Sequence, residues 1–331
     1  MKLTTTCILA AVSILPLQSH DSDLPLWHGQ FRFAGFLTYD FDMVGTDPSL
    51  PGNHTTTIRT VLFPVQLRFI GGITTNASKP MRNSTGIMES PLNLVVASPL
   101  FQSMNYFVGG LPVGNTQYID AYNRANFFNH LNAGHDFRVV LQNPPVVVPV
   151  TIDVPFSAGF ATLDENGTHG FVDEDFLKAQ LHSWMTLAGT AALPIFLLAD
   201  TKMTKHNGST MAAVHGFTGK QTYIIADFSP RIDVSPLSHE IGEWLADPYL
   251  ENATPGWPAP DGGCSKRMEI ADPINALNQS VFIETKLGWA TFHLQDFAFL
   301  SWFAHRIPST SAAGFYTFWG NDSGPAALCM H

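Results

Sequence analysis

The residues best suited to chemistry are His239, Glu240 and Glu243, which lie in one short segment with apolar neighbours. His239 and Glu243 are four residues apart, so on a helix their side chains project from the same face. Two ligands on one helix bind a metal ion at this spacing, and a carboxylate is an acceptable zinc ligand. Glu240 would point beside the ion, where it can deprotonate a metal-bound water. The segment therefore predicts one zinc ion per chain, with Glu240 as general base.

A catalytic zinc usually has three protein ligands, so the third must come from outside this helix. We expect Glu269, because the Gly- and Pro-rich segment before it can return the chain to the helix, and Asp272 is the alternative. Asp247 lies one turn beyond Glu243 on the same face, and it and Asp272 are expected to orient the ligands from behind. His215 is a candidate hydrogen-bond donor to an oxyanion, but a histidine in an ordinary loop is an equally good interpretation.

The motif needs a well-defined helix, and the sequence marks one over residues 236–246. Ser235 is a candidate cap, Pro236 suits the first position, and Pro248 stops the helix. Earlier segments predict a helix over residues 173–187, with Asp173 as its cap, and another over residues 115–131. Strands are predicted over residues 60–69, 194–199 and 221–228.

The order helix, strand, strand, motif helix resembles the zincin metallopeptidases over roughly residues 150–290, although Glu243 stands where a second histidine is usual. The resemblance implies an α+β fold in which a mixed sheet carries a backing helix and an active-site helix, with a β-rich N-terminal portion added. The chain also resembles a group of largely uncharacterised secreted bacterial and fungal proteins. The shared pattern consists of Ser98-Pro99-Leu100-Phe101, Thr116-Gln117-Tyr118-Ile119-Asp120-Ala121, Arg124-Ala125-Asn126-Phe127, His215, Ser238-His239-Glu240 with Glu243 and Asp247-Pro248, and Glu269-Ile270-Ala271-Asp272.

The N-terminus predicts export. Residues 1–19 combine Lys2 with an apolar run too short to span a bilayer, which is typical of a signal peptide. Residues 20–331 are then expected to form one secreted, extracellular domain, with a β-rich part over about 20–150 and a zincin-like part over about 151–331. After cleavage only Cys264 and Cys329 remain, which favours one disulfide. Eight glycosylation sequons begin at Asn53, Asn76, Asn83, Asn166, Asn207, Asn252, Asn278 and Asn321.

Composition excludes other classes of protein. The net charge is −10 and only 13% of residues are charged, with no basic patch, so nucleic acid is not an expected partner. No apolar run after the N-terminus reaches membrane length, so no membrane partner is expected, and the protein is expected to be a monomer.

Three functions remain open from the sequence. The first is a zinc endopeptidase acting on a protein or peptide substrate. The second is a non-catalytic secreted glycoprotein that binds a wall or host partner and uses the His/Glu cluster for structure. The third is a metal-independent glycoside hydrolase that uses two carboxylates such as Glu240 and Glu269.

Overall fold

The computed structural model describes residues 23–82, 86, 88–132, 134–165, 167–275 and 277–329. The predicted signal peptide at residues 1–19, with Cys7, lies outside this part of the chain, as do the sequon residues Asn83 and Asn166.

The described residues form 22 strands and five α-helices, labelled in chain order. The strands are β1 (Leu26–Phe33), β2 (Leu37–Val44), β3 (Asn53–Phe69), β4 (Thr74–Asn76), β5 (Met81–Arg82), β6 (Met88–Glu89), β7 (Met104–Val108), β8 (Leu111–Thr116), β9 (Asp136–Leu141), β10 (Val146–Val147), β11 (Val150–Val154), β12 (Gly159–Asp164), β13 (Gly167–Asp173), β14 (Ala192–Ala199), β15 (Thr201–Thr204), β16 (Thr210–Met211), β17 (Ala213–Thr218), β18 (Gln221–Phe228), β19 (Ala253–Pro258), β20 (Cys264–Arg267), β21 (Asn278–Thr285) and β22 (Gly288–Gln295). The helices are α1 (Pro91–Ala97), α2 (Tyr118–Asn126), α3 (Glu174–Ala188), α4 (Ser235–Ala246) and α5 (Leu300–Phe303).

The expected zincin-like α+β fold is wrong, because the chain is mostly β. Strands make up 45% of it and helices 19%, and the helices are short. Five two-stranded pairs lie apart from the larger sheets: β1–β2, β5–β6, β7–β8, β19–β20 and β21–β22. The physical reason is local: short alternating segments separated by tight turns pair with their neighbours in sequence. The helix predicted over residues 115–131 is also shorter in the structure, where this segment contains α2 followed by a single 3₁₀ turn.

The largest sheet is mixed and has the strand order β10-β3-β14-β18-β17. β3, β14 and β18 run parallel, whereas β17 is antiparallel to β18. Every residue of β14 and β18 is buried, as expected for strands covered on both faces. β3 also pairs with β9, β11 and β4. Because β3 pairs with β14, the segments expected as an N-terminal and a zincin-like part contribute strands to one sheet.

The two faces of this sheet carry different helices. Phe196 on β14 belongs to one apolar core with Leu177 and Leu181 of α3, whereas its neighbour Ile195 belongs to a second core with Leu237 and Ile241 of α4. Successive side chains of a strand point to opposite faces, so α3 and α4 cover opposite sides of the sheet. The predicted cap of α3 is confirmed, since the Asp173 carboxylate accepts a hydrogen bond from the Phe176 N–H at 2.8 Å.

Helix α2 anchors the segment that follows β22. The Tyr118 hydroxyl donates to the Gln295 carbonyl at 2.6 Å, and the Tyr122 hydroxyl donates to the Ala298 carbonyl at 2.9 Å. Both tyrosines are fully buried, and their rings pack against Phe297. This aromatic cluster of Tyr118, Tyr122 and Phe297 lies directly against α4.

The predicted disulfide is confirmed: Cys264 and Cys329 are bonded and are separated by 65 residues in sequence. The crosslink ties β20 to the C-terminal segment, where the Cys329 N–H donates to the Gly256 carbonyl at 3.1 Å. Within the described residues, no helix combines the length and apolarity needed to cross a bilayer.

Replacing both Cys264 and Cys329 by serine should lower the free energy of unfolding by roughly 4 kcal/mol, because the unfolded chain regains the entropy of a long open loop. Thermal and denaturant unfolding of this variant beside the native protein measures the loss. Ser265→Ala, a small change next to the crosslink, serves as control. Equal unfolding midpoints for the double variant and the native protein would contradict a stabilising disulfide.

Candidate metal centre

Helix α4 carries the motif and has nearly the bounds that the sequence predicts, ending at Ala246. The predicted cap differs, because Ser235 does not cap the helix and instead donates from its hydroxyl to the Asn278 side chain at 2.6 Å. Ser238 accepts a hydrogen bond from the Gln295 N–H at 2.9 Å and so ties α4 to the end of β22.

Gly242 lets α4 approach the aromatic cluster closely. A Cβ atom at this position would overlap the Phe297 ring. That ring is 1% exposed and is packed between Tyr118 and Tyr122, so it has little room to move. The glycine inside the motif is therefore a packing requirement. Its neighbours His239, Glu240 and Glu243 are brought to the cleft by this contact.

The first candidate ion-binding group consists of His239, Glu243 and Asp272, which we call the His239 group. His239 Nε2 lies 3.1 Å from Glu243 Oε1 and 3.5 Å from Asp272 Oδ1. One ligand atom from each residue lies within 4.8 Å of the other two. Ligands held at about 2.0–2.1 Å in a tetrahedron are separated by roughly 3.3 Å, so these spacings suit a metal ion. The sequence favoured Glu269 as the third ligand, with Asp272 as the alternative. In the structure it is Asp272 that lies beside His239 and Glu243.

The second candidate group, which we call the His215 group, consists of His215, Glu240 and Glu243 and is buried. His215 lies on strand β17 instead of in a loop. Its Nδ1 is 2.9 Å from Glu240 Oε2 and 3.6 Å from Glu243 Oε2, and its backbone N–H donates to Glu240 Oε2 at 2.8 Å. The sequence missed this link between His215 and Glu240, because the pairing of β17 with β18 creates it.

Glu269 and Asp247 complete the acidic surroundings. Glu269 lines the same cleft but belongs to neither group, and its Oε2 has no hydrogen-bond partner among the described residues. Asp247 ends α4, where its Oδ1 accepts hydrogen bonds from the N–H groups of Glu251 and Asn252. Its Oδ2 is buried and has no hydrogen-bond partner in the described part of the chain.

The cluster perturbs its own ionisation. Burial, with the nearby Glu240 carboxylate, raises the pKa of Glu243 to about 7, although His239 opposes the shift. Burial and the charge of Glu243 raise the pKa of Glu269 to about 9. Burial would lower the pKa of His239, but the Glu243 carboxylate outweighs it and raises that pKa well above its usual value. The metal-free site thus holds protons on its carboxyl groups and on His239 to higher pH than the same groups would in water.

The two groups lie in a cleft of about 690 Å³. His215 lines one wall from β17, and α4 contributes His239, Glu240 and Glu243. The exposed cations Lys205 and Arg267, which sequence reasoning did not single out, also line it. Residues of both groups therefore line the same cleft.

Comparison with protein-family models, with curated proteins and with solved structures found no match for the chain. The chemistry of the cleft must therefore be argued from its own residues.

The predicted glycosylation sites differ in accessibility. Asn252 is buried, and its amide nitrogen donates both to the Asp42 carbonyl at 2.8 Å and to the Ala246 carbonyl at 2.6 Å. An N-linked glycan would displace these bonds. Asn76 is half-buried, and the exposed sequon residues are Asn53, Asn207, Asn278 and Asn321.

Gly242→Ala should destabilise the protein by about 1–3 kcal/mol, because the added methyl group forces the Phe297 ring or α4 to move. In a helix interior without this contact, alanine would instead stabilise the protein by about 1 kcal/mol relative to glycine. A loss of stability therefore reports the overlap with the Phe297 ring. Chemical denaturation measures the change. Gly324→Ala is the control, since its Cβ would meet no atom within 4 Å. A more stable Gly242→Ala variant would disprove the packing requirement.

Metal-free protein should lose stability as the pH rises from about 5 to about 9. In this interval the folded chain retains protons on Glu243 and Glu269 that the unfolded chain has released, so the unfolding free energy falls with pH. The raised pKa of His239 acts in the same direction. Melting temperatures of chelator-treated protein across this range test the trend. Glu269→Gln should flatten the upper part, and a metal-free protein that is more stable at pH 9 than at pH 5 would contradict it.

Proposed function

We propose that this protein is a metal-dependent hydrolase that holds its ion in the His239 group and cleaves peptide bonds. The proposal is carried by one observation, namely the meeting of His239, Glu243 and Asp272 in an accessible cleft with Glu240 beside them. A buried structural ion would not need such a cleft, and a glycoside hydrolase would not need the two histidines.

Zinc is the proposed ion. One histidine with two carboxylates is an acceptable donor set for zinc, and three protein ligands leave a position open for water. When bound, such an ion lowers the pKa of water and polarises a carbonyl oxygen.

Glu240 is the proposed general base. Two N–H donors of His215 hold its Oε2, which leaves Oε1 to accept a proton from the attacking water. Glu240 then returns that proton to the leaving amine nitrogen, so the carboxylate is regenerated. His215 fits the role of holding Glu240 in place better than its predicted role as an oxyanion donor, because Glu240 already accepts from both its ring and its backbone.

An extracellular location is part of the proposal. The disulfide between Cys264 and Cys329 is typical of oxidising compartments. The N-terminal pattern at residues 1–19 predicts a signal peptide, and the exposed sequon residues are compatible with glycosylation.

Glu240→Gln tests the function. The variant should bind zinc in the His239 group as tightly as the native protein does, because Glu240 is not part of that group, and should hydrolyse a protein substrate such as casein about 10²–10⁴-fold more slowly. Zinc content by elemental analysis and cleavage of labelled casein provide the two readouts.

Glu165→Gln is the matched control, since Glu165 is exposed at the turn between β12 and β13. It should retain full hydrolysis. Native activity in Glu240→Gln would exclude Glu240 as the base. A native protein that binds zinc but cleaves no protein substrate would favour the non-catalytic alternative.

A further inference from the structure

The two carboxylate oxygens of Glu243 face different histidines. Oε1 lies 3.1 Å from His239 Nε2, whereas Oε2 lies 3.6 Å from His215 Nδ1. Glu243 is therefore shared by the His239 group and the His215 group. A carboxylate that bridges two metal ions presents one oxygen to each ion, and ions in such pairs lie about 3.5–4 Å apart.

The His215 group has the spacing and burial of a ligand set. The nitrogen–oxygen separations from His215 Nδ1, 2.9 Å to Glu240 Oε2 and 3.6 Å to Glu243 Oε2, bracket the roughly 3.3 Å expected between ligands of one tetrahedral ion. The side chains of His215 and Glu243 are only 3% and 5% exposed.

Charge provides an independent argument. Five carboxylates surround the two histidines, namely those of Glu240, Glu243, Asp247, Glu269 and Asp272. The cations of the cleft, Lys205 and Arg267, are exposed and screened by water. One divalent ion cancels two negative charges, and the carboxylates that do not bind this ion would still attract a second divalent ion.

We propose that the cleft has a second, weaker divalent-cation site formed by His215, Glu240 and Glu243, and that an ion bound there inhibits hydrolysis. The inhibition, but not the site, rests on the proposed function. An ion held by Glu240 occupies the carboxylate that would accept the proton of water. Affinity is lower than at the first site because the His215–Glu240 hydrogen bond must break and the first ion repels the second.

Zinc titration of chelator-treated protein tests the site directly. Calorimetry and elemental analysis should give two ions per chain for the native protein, with the second bound more weakly, and one ion for His215→Asn. Asp272→Asn should weaken the tighter of the two. Hydrolysis should rise with the first equivalent of zinc and fall at least tenfold as the second site fills.

His182→Asn is the matched control and should still bind two ions, because His182 is exposed on α3, on the opposite face of the sheet. Melting curves identify any variant that fails to fold, and His215→Gln then replaces His215→Asn. One ion in the native protein, or equal binding by the native protein and the folded His215 variant, overturns the second site even if hydrolysis is found. Two ions without hydrolysis support the site and reject the proposed function.

Discussion

The close contact between α4 and the Phe297 ring is the constraint on which the candidate site depends. Because Gly242 has no side chain, the helix backbone can lie directly on a ring that Tyr118 and Tyr122 hold in place. The hydroxyls of both tyrosines also donate to the backbone on either side of Phe297. The side of α4 that carries His239, Glu240 and Glu243 therefore faces the cleft in a fixed orientation. A metal site requires such rigidity, since its ligands must meet within a few tenths of an ångström.

Burial of the acidic residues in the cleft links their protonation to metal binding. Glu243 is almost fully buried beside Glu240, and Glu269 lies close enough for its pKa to rise with the charge of Glu243. Without a cation, Glu243 and Glu269 retain their protons to higher pH than free glutamates do, and a bound cation favours their ionised form. Folding stability, pH and metal binding are therefore linked through the same few oxygen atoms. Concentrating acidic side chains in one cleft costs folding free energy. Apolar packing in the aromatic cluster and in the rest of the core offsets that cost.

Local patterns in the sequence predicted the elements with strong periodicity or clear end signals. The motif helix, the strand over residues 221–228 and the cap at Asp173 belong to this group. The overall architecture was not predictable in this way, because β3 pairs with five other strands at widely different positions in the chain, and no local pattern encodes that. The candidate metal site was predicted only in part for the same reason. Spacing on one helix identified His239 and Glu243, but the choice of Asp272 over Glu269 depends on how the chain returns from β20.

The end of α4 shows how one residue serves both the fold and the cleft. Asp247 uses Oδ1 to accept the N–H groups of Glu251 and Asn252, which fixes the turn that follows the helix. Asn252 in turn donates to the Ala246 carbonyl and to the Asp42 backbone, so the turn is bound to the N-terminal hairpin. Asp247 Oδ2 remains buried near His215, where its charge adds to the larger effects of Glu240 and Glu269 in raising the pKa of that histidine. The Asn-x-Thr pattern that suggested glycosylation is here a structural tether, and it keeps a negative charge beside the ion-binding residues.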